Sequence, residues 1–224
     1  MTPPPALPAA APRRPARLLD ALRRDESGIS MVEFGLSLPM LVALGMYGIE
    51  IANMTTTNMQ ISQLALAVAD NASRLGQTDN SAVSPTIAES EIAAVMSGAL
   101  RQGSGLKVQQ KGRIILSSLE KHTNGRQYIH WQRCTGDLVR VSAYGNDTTN
   151  NGLTGIAWDG MGQPGRKVAA NTGQAVMFVE VVYEYQPLFG TMFVSGREFR
   201  HEAAFIVRDD RNLASTSGTN TLTC

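Results

Sequence analysis

The run Gly28-Ile29-Ser30-Met31-Val32-Glu33-Phe34-Gly35-Leu36-Ser37-Leu38-Pro39-Met40-Leu41-Val42-Ala43-Leu44-Gly45-Met46-Tyr47-Gly48-Ile49 decides how the rest of the chain is read. It is apolar over membrane length, with one carboxylate, Glu33, near its front. At a 1.5 Å rise per residue, about twenty such residues cross a hydrocarbon core of about 30 Å. A charge there costs a few kcal/mol or more, so an intramembrane glutamate usually marks function. The competing reading is a carboxylate snorkelling at the cytoplasmic interface of an ordinary signal anchor. The segment extends from Ile29 to about Ala52, with Glu50 at its outer interface. Pro39, inside it, should kink the helix or loosen one turn, which membrane helices tolerate better than soluble ones.

Working outward, Arg13, Arg14, Arg17, Arg23 and Arg24 precede the run, against Asp20, Asp25 and Glu26. The positive-inside rule leaves this end in the cytoplasm and sends the remainder outward. Residues 1–17, rich in Pro and Ala, have little to bury and should be extended or disordered. Residues 18–27 suit a short juxtamembrane helix. The chain therefore divides into a basic cytoplasmic leader (1–28), a transmembrane helix (29–52) and a periplasmic or extracellular domain (53–224). A length of 224 residues suits one ordinary domain plus an anchor. With 43% hydrophobic and 17% charged residues, the chain is neither disordered nor polytopic. A net charge of +1, with no basic and aromatic clustering downstream, argues against nucleic acid as a partner.

Beyond the run, Ile51, Met54, Asn58, Ile61, Leu64, Ala65, Val68, Ala72 and Leu75 recur at helical spacing, up to Gly76. One long helix from 29 to 75 follows, apolar all round in its first half and amphipathic in its second. Ser84-Pro85 signals a second helix, which Gly103 ends. Strands are expected at 113–119, 127–134, 175–185 and 197–207, with an Asn124-Gly125 hairpin between the first two and a long loop over 144–173. Residues after about 209 look loose. The fold class is α+β: a long N-terminal helix running from membrane to soluble phase, its outer half packed on a small antiparallel sheet, plus one further helix.

Cys134 and Cys224, both on the outward side, favour a disulfide over two unrelated thiols. His122, His130 and His201 are scattered, and HExxH, GxSxG, P-loop and GxGxxG motifs are absent. Glu180, Glu184, Glu198 and Glu202 alternate with apolar residues and read as a solvated sheet face. The oxygen-rich loop Gly145–Gly152 with Asp159 lacks calcium-loop spacing. The residues therefore call for no metal, no cofactor and no catalytic site.

Gly28 followed by Ile29-Ser30-Met31-Val32-Glu33-Phe34 resembles a type IV prepilin-class cleavage site. Val32-Glu33-Phe34 with Leu38-Pro39, Gly48-Ile49-Glu50, the segment Val181–Leu188 and Phe205–Arg208 resemble, more narrowly, the TadE-like pseudopilins of tight-adherence (Flp-type) pilus and secretion systems. The N-terminal match covers about 25 residues. The resemblance implies a pilin-like fold and a prepilin peptidase that cuts between Gly28 and Ile29. It implies a single-pass location in the bacterial inner membrane, with the domain periplasmic or carried outside in a pilus. Partners would be that peptidase, other pilins, the assembly platform and membrane lipid. Glu33, with Phe34 beside it, would set register during assembly. Cleavage creates a charged amine on Ile29, and Glu33 lies about 6 Å further along the axis. The two charges can neutralise each other in lipid within one chain or between staggered neighbours. Gly28 has a physical reason of its own, since a residue without a side chain enters a protease site closely. The alternative is an uncleaved signal-anchored periplasmic protein with a ligand-binding or enzymatic domain.

Overall fold

The computed structural model describes residues 23–26, 28–76, 84–208, 211–214 and 216–224. The leader through residue 22, most of the expected juxtamembrane helix, and Ser27 lie outside these residues. Helix α1 spans Ile29–Ser73, unbroken through Pro39. The chain forms two compact units, one ending at Gly48 and one of Ile49–Cys224. In the first, every described residue from Gly28 to Gly48 is exposed except the half-buried Met46. No core within the unit covers this helix, and its length and composition are those of a bilayer-crossing segment.

In the second unit, α1 becomes a packed helix. Ile61, Leu64, Ala65, Val68, Ala69 and Ala72 recur at three- and four-residue spacing and are buried. Helix α2, Glu89–Gln102, adds Ile92, Met96 and Ala99. A short helix α3, Val108–Lys111, leads into the sheet. Strands β1 (Gly112–Lys121), β2 (Gln127–Thr135), β3 (Ala175–Tyr185) and β4 (Arg197–Ile206) form an antiparallel sheet in the order β2-β1-β3-β4. The β1–β2 hairpin turns at Gly125, whose φ of +87° suits glycine. On the helix side, Ile114, Leu116, Met177, Val179, Val181, Tyr183 and Tyr185 meet α1 and α2 in one core. Burying each of the larger apolar chains stabilises by about 1.5–3 kcal/mol. The fold class is thus the α+β arrangement expected, a long apolar N-terminal helix with a small antiparallel sheet.

Two local expectations are corrected. The second helix starts at Glu89, with Ala88 as N-cap and the Glu91 carboxylate accepting the Ala88 N–H at 2.9 Å; Ser84 and Pro85 precede it. Residues 85–89 are held extended by the C-terminal segment. Ser217 N–H donates to Ile87 O at 2.8 Å, Glu89 N–H to Ser217 O at 2.8 Å, and Asn212 N–H to Pro85 O at 3.1 Å. The end of the chain is therefore tied down. Cys134 and Cys224 are joined by a disulfide, and Cys134 N–H donates to Leu222 O at 3.1 Å along the outer edge of β2.

The second sheet face is covered too. The loop between β2 and β3 lies on it, and Met161, Ala170, Trp158 and Tyr144 pack against Leu119, Ile129, Val176 and Phe178. Its attachment is polar as well as apolar: the Gln127 amide both donates to Ala170 O and accepts from Ala170 N–H, each at 2.8 Å. Gly152, at φ +94°, sits where the loop meets β2, and a Cβ there would lie 2.2 Å from Gln127 O.

Candidate functional site

The processing constellation stands at the start of α1. The Gly28 carbonyl accepts the Val32 N–H at 3.1 Å, and the Ile29 N–H donates to Glu26 O at 3.2 Å. A Cβ at Gly28 would meet no atom within 4 Å, so no close contact in the described fold demands glycine there. The same open space surrounds Gly35, Gly45 and Gly48. Ile29 is 50% and Phe34 63% exposed, and Glu33 is exposed beside them. Residues 29 and 33 share one helix face, one turn apart. Pro39 has no N–H to give to the carbonyl of Gly35, so that carbonyl lacks its usual helical partner.

Glu50, expected at an interface, is instead fully buried in the second unit. Its carboxylate accepts the Tyr185 hydroxyl at 2.6 Å, the Leu188 N–H at 2.9 Å and the Phe189 N–H at 3.1 Å. Asn53, one turn on, donates to the Tyr185 oxygen at 2.8 Å. Burial first, and the Glu50 hydrogen bond second, push the Tyr185 phenol above its ordinary pKa, keeping it a donor. Two segments far apart in sequence, one at Glu50 and one at Tyr185–Phe189, thus form one polar node. Sequence reading singled out both segments but had no means of pairing residue 50 with residue 185.

The strand acids are not uniformly solvated. Glu184 and Glu198 are exposed, but Glu180 is fully buried under the β2–β3 loop. It accepts the Ser142 hydroxyl, the Ala143 N–H at 3.0 Å and Arg200 at 2.8 Å. Burial raises its carboxyl pKa, with these donors opposing the rise. Glu202 accepts the Tyr144 hydroxyl at 2.8 Å. The alternation that suggested a wet face is a polar seam between sheet and loop. On the other side, Arg133 pairs with Glu89 at the first turn of α2, both buried, and stacks 5.6 Å from the Trp131 ring. Arg133 lowers the Glu89 pKa and thereby keeps the pair ionised.

The scattered histidines take separate partners. His130 Nδ1 lies 3.0 Å from both Glu120 oxygens, His201 Nε2 lies 2.7 Å from Asn58 Oδ1, and His122 Nδ1 accepts the Asn124 N–H at 3.3 Å. Ser118 donates to Glu120 at 2.8 Å, so hydroxyl and imidazole meet the same carboxylate and do not form a nucleophile–base pair. Among the described residues no cluster of three or more His, Cys, Asp or Glu could hold a metal. The oxygens of the 145–152 loop serve its own turns and strand β2: Asn146 Oδ1 accepts from Thr148 and Thr149, Asp147 Oδ2 accepts the Gln132 N–H at 3.3 Å, and Asn151 O accepts the Ile129 N–H at 2.9 Å. A cleft of about 630 Å³ opens beside this loop, lined by Arg140, Tyr144, Asn146, Ile156, Trp158 and Lys167.

The Glu120 hydrogen bond is the main cause of a raised His130 pKa. A group with a raised folded pKa stabilises fully below its unfolded value and loses that contribution as pH rises through the folded value. His130→Gln is therefore expected to lower Tm more at pH 5.5 than at pH 9, in thermal melts at both. An equal loss at the two pH values would refute the charged pair.

Comparison with known proteins finds no matching family model, no matching curated protein and no matching solved structure.

Proposed function

We propose that this chain is a TadE-like minor pilin or pseudopilin, acting in the assembly of a tight-adherence pilus or secretion apparatus, not as a catalyst. It is made as a precursor, anchored in the inner membrane by α1, cut between Gly28 and Ile29 by a prepilin peptidase, and engaged by other pilins and the assembly platform. The observation that carries this reading is the placement of Gly28, Ile29, Glu33 and Phe34 at the head of an apolar helix that its own unit leaves exposed. Three further features support it. Glycine at 28 has no close neighbour in the described fold, Glu33 stands one turn from the new amine, and the helix continues into an α+β domain.

In cells with an active peptidase, the mature N-terminus is expected to be Ile29, with a mass loss of about 3 kDa from the precursor. Gly28→Leu should abolish that loss. In the same strains, Glu33→Ala should be cleaved yet fail to assemble. Intact precursor in the wild type would instead support an uncleaved signal-anchored periplasmic protein, and normal piliation of the Glu33 variant would refute the register pair.

A further inference from the structure

The β3–β4 connection has an unusual composition for a surface loop. From Tyr185 to Gly196 there is no charged residue, and Leu188, Phe189, Met192, Phe193 and Val194 fill five of seven consecutive positions. Leu188 is 57% and Met192 73% exposed. Phe189 and Phe193 meet edge to face at 6.2 Å across the turn Gly190–Met192. Solvated loops are usually built from Gly, Pro, Asn, Asp and Ser.

The place where this loop is fastened gives the composition a reason. Its Leu188 and Phe189 N–H groups both donate to Glu50. Glu50 lies on α1 directly after Ile49, where the exposed apolar run ends. The carboxylate holds the loop by its backbone and makes no demand on its side chains. An uncharged loop of Leu, Met and Phe tethered at that point has the chemistry of a headgroup-level contact, where aromatic and aliphatic chains leave water without crossing the bilayer.

We propose that residues 186–196 form a second membrane contact, lying at the outer headgroup boundary of the bilayer that α1 crosses, with Leu188, Phe189 and Met192 entering it. The proposal rests on the reading of Ile29–Gly48 as a membrane anchor.

The test uses the full-length chain in vesicles of phosphatidylcholine and phosphatidylglycerol, with the native disulfide kept oxidised. An environment-sensitive fluorophore is placed on Met192→Cys, on Leu44→Cys in the apolar run, and on Val139→Cys, which is 82% exposed in the second unit. Lipids with a nitroxide near the headgroup are expected to quench the Met192 label at least about twofold, as suits a contact buried some 5–10 Å into the boundary. A nitroxide at the chain end should quench the Leu44 label, and neither should quench the Val139 label. If Leu44 is quenched while Met192 behaves like Val139, the loop contact is overturned and the anchor stands. A blue shift at Met192 without nitroxide quenching would mean burial against protein, such as a second copy, and overturns it equally. If Leu44 itself is not quenched, the anchor reading fails and takes the loop contact with it.

Discussion

Glu50→Ala is expected to destabilise the second unit by about 3–5 kcal/mol, because it strands three donors that now share one buried carboxylate. The Tyr185 hydroxyl, at 2.6 Å, and the Leu188 and Phe189 N–H groups, at 2.9 and 3.1 Å, would lose their common acceptor. Glu50→Gln keeps an acceptor for the two N–H groups and should cost only about 1–2 kcal/mol. Tyr185→Phe removes one donor and the acceptor of Asn53, and its effect should not add to that of Glu50→Ala, since the two share a bond. Urea titration of the full chain in detergent, followed by Trp131 and Trp158 emission, reads the stability. Hydrogen exchange reads the site: the Leu188 and Phe189 amides should lose protection in the alanine variant. An alanine variant within about 0.5 kcal/mol of wild type would show that the node does not hold the loop.

That node marks the boundary between what sequence reveals about this chain and what it hides. The long helix, the four strands and the Asn-Gly hairpin were legible because each is a local pattern. Period 3.6 runs through Ile61, Leu64, Ala65 and Val68, a nearly continuous apolar run rich in β-branched and aromatic residues marks β3, and a positive φ falls at Gly125. The partners of the carboxylates were not legible. Glu50 and Tyr185 are 135 residues apart, and Glu89 and Arg133 are 44 apart. Alternating acids on β3 and β4 look the same in sequence whether water or a loop lies above them. What hid the loop's role was its composition. Residues 144–173 are rich in turn formers, yet Trp158, Met161 and Ala170 cap a sheet face while Ser142 and Ala143 supply donors to Glu180. The second helix was misplaced by four residues because a serine-proline signal is local, whereas the extended backbone at 85–89 is imposed by the chain's far end.

The far end also sets the second large effect. Replacing Cys134 and Cys224 by serine together is expected to lower stability by about 2–5 kcal/mol, the usual consequence of removing a native disulfide. The bond spans 90 residues, for which loop closure alone contributes about 4–5 kcal/mol in the chain-entropy description. In the folded state it also holds the Leu222 carbonyl against the Cys134 N–H, so a segment lies along the free edge of β2. The opposite edge, β4, carries Arg197, Glu198, Arg200 and Glu202, a charged edge that discourages pairing with another strand. Once freed, the tail would loosen the pairing of Ser217 with Ile87 and Glu89, and with it the start of α2, where Glu89 meets Arg133. Reductant should therefore lower the urea midpoint of the wild type and leave the double serine variant unchanged, with exchange accelerating first at the Glu89 and Ser217 amides. A wild-type midpoint that ignores reductant would mean the bond contributes nothing to stability. Rapid exchange at those two amides in the oxidised protein would mean the tail is not what positions α2.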